Sequence, residues 1–175
     1  MKKFELTNEF ITNMFGTKLF RIRALVEFGD VEAGELGGYV EKESNLGHDD
    51  NAWVYDNAWV YGDAQVSGDA LVYGNALVCG DARVCGNGDY AYAHGFGSVN
   101  RTTTFFRLKD GGVGVRCGCF YGTLAQFRDK IRETHGESAI AEEYLDLAAL
   151  MEKRFRRTGT EDRRRKLRRM FITQN

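Results

Sequence analysis

Three side chains in this chain can take or give a proton near neutral pH: His48, His94 and His135. Each is a candidate general base only if a substrate and an orienting partner lie beside it. Four cysteines, at 79, 85, 117 and 119, add thiols. Cys117 and Cys119 are two apart, so on a strand they share one face. With a histidine they could bind zinc, but C-x-C alone lacks the ligand spacing of a zinc site. A half-buried pair of small residues explains it better. Nothing around His94 marks an acyl or other substrate site. The expectation is therefore no catalytic constellation, no metal and no cofactor.

Charge offers a second kind of chemistry. The net charge is −1, but residues 1–100 carry 7 Lys/Arg against 15 Asp/Glu, and residues 101–175 carry 17 against 10. Halves of opposite sign suit contact with each other, with a second copy or with a charged partner. The basic excess peaks in Arg163, Arg164, Arg165, Lys166, Arg168 and Arg169. Such a run can hold phosphates or an acidic surface, in a salt-sensitive and sequence-independent way. It can equally be a solvated end. In the other half, Asp56, Asp63, Asp69 and Asp81 recur, and a regular row of carboxylates can imitate a phosphate backbone. Asp is also simply a good corner residue.

The element that spaces those carboxylates is a repeat. From Ala52 the chain runs A-W-V-Y-D-N, A-W-V-Y-G-D, A-Q-V-S-G-D, A-L-V-Y-G-N, A-L-V-C-G-D, A-R-V-C-G-N. A period of six suits a coil of three short strands and three corners. Alanine and valine, two apart, point inward, and Gly-Asp or Gly-Asn takes the corners. Three hexads make a coil, so residues three hexads apart stack at about 4.8 Å. One outer face then carries Trp53, Tyr55, Leu71 and Tyr73, and the second carries Trp59, Tyr61, Leu77 and Cys79. The third is polar, with Gln65, Ser67, Arg83 and Cys85. Cys79 and Cys85 fall on different faces, so no disulfide is expected between them. The aromatic and apolar residues Trp53, Tyr55, Trp59, Tyr61, Leu71, Tyr73 and Leu77 need cover, from flanking segments or from other subunits.

The pattern A-x-V-x-G-[D/N], with Val54 followed four positions later by Ala58 and Val60 by Ala64, resembles the left-handed β-helix of hexapeptide-repeat proteins. The flanks L-G-G-Y-V-E-K-E-S-N-L (36–46) and C-G-C-F-Y-G-T-L-A-Q-F-R extend the likeness to a family of phage and prophage proteins with variable numbers of hexads. That family implies no settled activity. Hexapeptide β-helices are commonly trimers, so the resemblance implies a homo-oligomer, a dimer or trimer. Its familiar enzymes are acyltransferases with a catalytic histidine and carbonic anhydrases with three zinc-binding histidines. No histidine lies within the regular hexads here, which does not support the zinc arrangement.

Outside the hexads the sequence changes character. A helix is expected around 7–14 and a strand over 18–25. Val40 and Leu46 fit the valine column, and the wider spacing from Leu46 to Val54 places a bulge at His48–Asp50. Tyr90 still falls on the valine column, and G-F-G-S-V-N (95–100) reads as a linker. T-T-T-F-F-R-L-K and V-G-V-R-C-G-C-F flank D-G-G, a hairpin signature. Thr123 and Gln126 form a capping box before a helix with Leu124, Phe127 and Ile131 on one face. Ser138 caps a second helix, with Ile140, Tyr144, Leu147, Ala148, Met151 and Phe155 at helical spacing. Thr160-Glu161-Asp162 caps a separate basic helix.

The expected fold is mainly β: a short left-handed parallel β-helix followed by a small α+β C-terminal module. Its units are an N-terminal cap (1–36), the β-helix (37–94), a hairpin with two helices (95–158) and a basic helix or tail (159–175). No apolar run is long enough to span a bilayer, and no leader is evident, so the host cytoplasm is the expected location. The expected function is non-enzymatic: a phage-associated protein that binds or inhibits a host protein or nucleoprotein, in an anti-defence role. An acyltransferase-like enzyme and a nucleic-acid-binding protein acting through its basic end are the alternatives.

Overall fold

A computed structural model describes the backbone of residues 1–172 and the side chains of residues 1–159. The hexads form six two-residue strands: β4 (Trp53–Val54), β5 (Trp59–Val60), β6 (Gln65–Val66), β7 (Leu71–Val72), β8 (Leu77–Val78) and β9 (Arg83–Val84). They pair in parallel as β4–β7, β5–β8 and β6–β9, so Trp53 lies beside Leu71, Trp59 beside Leu77 and Gln65 beside Arg83. Every partner is three hexads away, as the period requires. The alanines at 52, 58, 64, 70, 76 and 82 and the valines at 54, 60, 66, 72, 78 and 84 are all fully buried.

Close stacking dictates the corner residues. Gly68 has φ of 62°, and a Cβ there would sit 2.4 Å from the Cys85 carbonyl oxygen. Asp56 takes the same left-handed conformation (φ 52°), which Asp tolerates better than most residues. Its carboxylate accepts the Gly74 amide one coil further on, as the Asp50 carboxylate accepts that of Gly68.

The N-terminal segment adds strands to one ladder. β1 (Phe4–Thr12), β2 (Lys18–Ala24) and β3 (Leu36–Val40) extend it in the order β1-β2-β3-β5-β8. The helix expected around 7–14 is therefore a strand. Thr7, Phe10, Ile11 and Thr12 favour a pleated surface, and Asn13 closes the hairpin by accepting the Phe15 and Thr17 amides. β3 pairs in parallel with β5, with Val40 beside Val60, and Leu46 bridges Val66. Both offsets exceed three hexads by the same small insertion. That insertion is the wider spacing between Leu46 and Val54, absorbed at His48–Asp50.

The C-terminal module begins earlier than its sequence suggests. β10 (Tyr90–Phe96), β11 (Arg101–Arg107), β12 (Val113–Cys117) and β13 (Phe120–Thr123) form an antiparallel sheet in that order. Residues 95–100 are thus a strand end and a hairpin turn. Alternation along β11 lets it serve two cores: Phe106 packs with the hexads, and Phe105 packs under the helices. Those helices are α1 (Leu124–His135) and α2 (Ala139–Ile172). Thr123 and Gln126 form the expected capping box, and the Ser138 hydroxyl accepts the Ala141 amide.

Three expectations in this module need correction. Ile140 is exposed, because the buried stripe runs through Ala141, Tyr144, Ala148, Met151 and Phe155, one position out of phase with it. Cys119 does not share a strand face with Cys117: β12 ends at Cys117, and Gly118 (φ 59°) turns the chain, leaving Cys117 buried and Cys119 exposed. No separate basic helix starts at Thr160, because α2 runs unbroken to Ile172. A single Gly159, with no proline nearby, costs only about 1 kcal/mol against alanine, too little to end it.

Side chains cap both ends of the hexad stack. At the N-terminal end the Lys3 ammonium donates to the Asp50 and Ala52 carbonyls, and the Asn45 amide donates to the Gly62 and Ala64 carbonyls. At the C-terminal end Tyr90 stands where the next valine would be. Its hydroxyl accepts the Tyr73 amide and donates to the Leu71 carbonyl, as a further strand would. Asn87, Asp89 and Thr104 accept the amides of Leu71, Cys85 and Leu77.

Candidate functional site

The residues expected to need cover receive most of it from this chain. Trp53 is fully buried, with Phe4 and Phe28 packed edge-on at 6.3 and 5.3 Å between ring centroids. Tyr55 and Tyr73 stack on each other at 4.6 Å, and Tyr73 alone of the seven is exposed. Tyr61 is half-buried, its hydroxyl paired with the Cys79 thiol. Burial pushes both of those groups upward from their usual pKa, so both stay protonated at neutral pH. Leu71, Trp59 and Leu77 are also half-buried.

The four aspartates do not form one row. Asp63 and Asp81 share a corner, three hexads apart, while Asp56 and Asp69 stand on the other two. Asp56 caps Gly74, Asp69 accepts from Asn51, and Asp63 pairs with Lys42 at 3.2 Å. They serve the corners. The backbone of α2 carries Arg163, Arg164, Arg165, Lys166, Arg168 and Arg169, but their side chains lie outside the described residues.

Each histidine has a local partner. His48 stacks on Phe4 and accepts the Lys3 amide, and His135 lies against the Tyr144 ring. His94 Nδ1 is 2.9 Å from the Thr102 hydroxyl on an exposed hairpin. Among the described residues no carboxylate orients it, and no three His, Cys, Asp or Glu side chains cluster as metal ligands. No helix among the described residues is long and apolar enough to cross a membrane.

One concavity joins the hexads to the C-terminal module. A groove of about 360 Å³ opens between the second outer face and the end of the C-terminal sheet where β11 begins and β12 turns into β13. Trp59 and Leu77 make its apolar wall, with Asn57 and Asn75 at the adjoining corner. Arg101, Thr102 and Gly118 complete it. Gly118 takes a left-handed conformation (φ 59°) that favours glycine, and the Arg101 guanidinium lies close over that turn. Arg101 makes no ion pair among the described residues. The sequence signal for this site is Trp59 and Leu77, expected together on the second outer face, whereas Arg101 and Gly118 join it only through tertiary pairing.

A second cation, this one buried, lies in the same sheet. Arg116 is 5% exposed, with its guanidinium over Phe15 and one nitrogen donating to the Cys119 carbonyl. Its Nε has no hydrogen-bond partner.

Comparison with known proteins is informative for the hexads. Residues 64–80 match a family model described as the YdcK β-solenoid repeat. That stretch spans about one turn of the stack and supports a β-solenoid repeat. No curated protein matches the chain.

Proposed function

We propose that this chain is a non-enzymatic binding protein. In this reading the repeat block is a short left-handed β-helix, and the long helix it carries engages the acidic surface of a partner. The resemblance to phage hexad proteins makes a host nucleoprotein the expected partner, met in the host cytoplasm. One observation carries the proposal: α2 is continuous from Ala139 to Ile172. At about 1.5 Å per residue it is roughly 50 Å long. It is anchored where Arg107 donates to the Phe155 carbonyl and the Thr158 hydroxyl. The ten Lys/Arg of residues 153–169 therefore belong to one continuous helix. The local engagement of all three histidines supports a binding role over an acyltransferase.

Fluorescence anisotropy with a short labelled duplex tests this. Wild type is expected to bind at low salt. Replacing Arg163, Arg164, Arg165, Lys166, Arg168 and Arg169 by glutamine is expected to weaken binding about 100-fold or more. Equal binding by both proteins, or none by wild type, would remove the basic helix from the function.

A further inference from the structure

We propose that the groove between the second outer face and the C-terminal sheet binds a nucleoside phosphate. Three kinds of group line it. First, Trp59 is half-buried and has no aromatic ring against it among the described residues, so a planar ring can lie on it. Base–aromatic stacking tolerates any base, because every base has a π-face. Second, Asn57 and Asn75 stand three hexads apart at one corner, both exposed, so their carboxamides rise one above the other beside the tryptophan. Each offers donors and an acceptor, the combination that reads a base edge. Third, Arg101 lines the groove and makes no ion pair among the described residues. Its guanidinium is the donor best suited to a phosphate there.

The size agrees. About 360 Å³ lies within the range of small-molecule sites and suits one nucleotide better than a larger cofactor. The charge agrees too: Arg101 is the only charged residue among those lining the groove. A hydrophobic ligand would leave this cation and both amides unanswered, and inorganic phosphate would leave the tryptophan wall bare. None of these residues lies on α2, so this site and the basic helix stand or fall separately.

The test is titration of the full chain with adenosine, guanosine and uridine 5′-monophosphates, followed by tryptophan fluorescence and calorimetry. At least one is expected to bind with quenching. Inorganic phosphate and the free nucleosides should each bind about tenfold or more weakly. Arg101→Gln and Trp59→Leu should each reduce binding about tenfold or more, while Trp59→Phe keeps most of it. A single-stranded five-mer distinguishes the sources of the same chemistry. With Arg163, Arg164, Arg165, Lys166, Arg168 and Arg169 replaced by glutamine, tighter binding than the monophosphate assigns the groove to a strand, and weaker binding to a free nucleotide. Absence of binding by wild type up to about 5 mM overturns the proposal. So does unchanged binding by Arg101→Gln with native circular dichroism, which decides the matter even if Trp59→Leu does not fold.

Discussion

The two ends of the repeat block are closed by different means. At the N-terminal end a strand does most of the work: β3 pairs with β5, and Phe4 and Phe28 bury Trp53. Only Lys3 and Asn45 satisfy carbonyls with side chains. At the C-terminal end single side chains stand in for the missing strand, with Tyr90, Asn87, Asp89 and Thr104 all accepting main-chain amides. An open ladder is a template for pairing with another chain, so both devices blunt an edge. The strand solution distributes its stabilisation over apolar packing. The C-terminal solution adds a few side-chain hydrogen bonds to the packing of Phe106 and the Ala82–Leu108 bridge.

That contrast sets the scale of the expected effects. Trp53→Ala should be the most damaging change, costing about 3–5 kcal/mol in urea unfolding, because it empties the contact between the N-terminal cap and the hexads. A loss under about 1 kcal/mol would mean that the cap packs only loosely. Tyr90→Phe should cost about 2–3 kcal/mol for one oxygen atom, since a main-chain donor and an acceptor both lose their partner. If it proves neutral, water replaces the phenol and the C-terminal end is not closed as described.

Lys3 gives the N-terminal end a pH signature. Burial, only partly opposed by Asp50 and Asp49, lowers its pKa to about 8, from 10.5 when exposed. Between those values the unfolded chain holds more protons than the folded one, so stability rises with pH across that window. From pH 7 to 9.5 Lys3 alone should contribute roughly 2 kcal/mol, partly offset towards pH 9 by Cys79, whose raised pKa keeps its proton on in the folded state. Lys3→Met should flatten the rise. Above pH 10 the slope reverses, because burial raises Tyr55 to about 12 and the folded state then keeps the proton. Away from both ends, Thr123→Ala should cost only about 1 kcal/mol through loss of the α1 cap. A larger effect there would show that α1 supports the repeat block.

The repeat was readable because it is local and periodic. The valine column, the three-hexad stacking and the insertion at His48–Asp50 all follow from counting. Even Tyr90 falls on that column, although its hydroxyl role needs the neighbouring coil to be seen. The segment around 7–14 is a strand because its β-favouring Thr7, Phe10, Ile11 and Thr12 pair with β2, a partner that no hexad count supplies. Cover for Trp53 comes from Phe4 and Phe28, both far earlier in the chain, and no spacing rule links them to it. The groove was hidden for the same reason: Trp59 was read as part of a face, and Arg101 as part of a charge total.

Salt dependence of binding tests the proposed function most directly. If the six basic residues from Arg163 to Arg169 each neutralise a phosphate, log K against log salt for duplex DNA should fall with a slope of about −5. Their replacement by glutamine should bring that slope close to zero. A shallow slope in wild type, or a steep one retained without those six charges, would contradict binding through the basic helix.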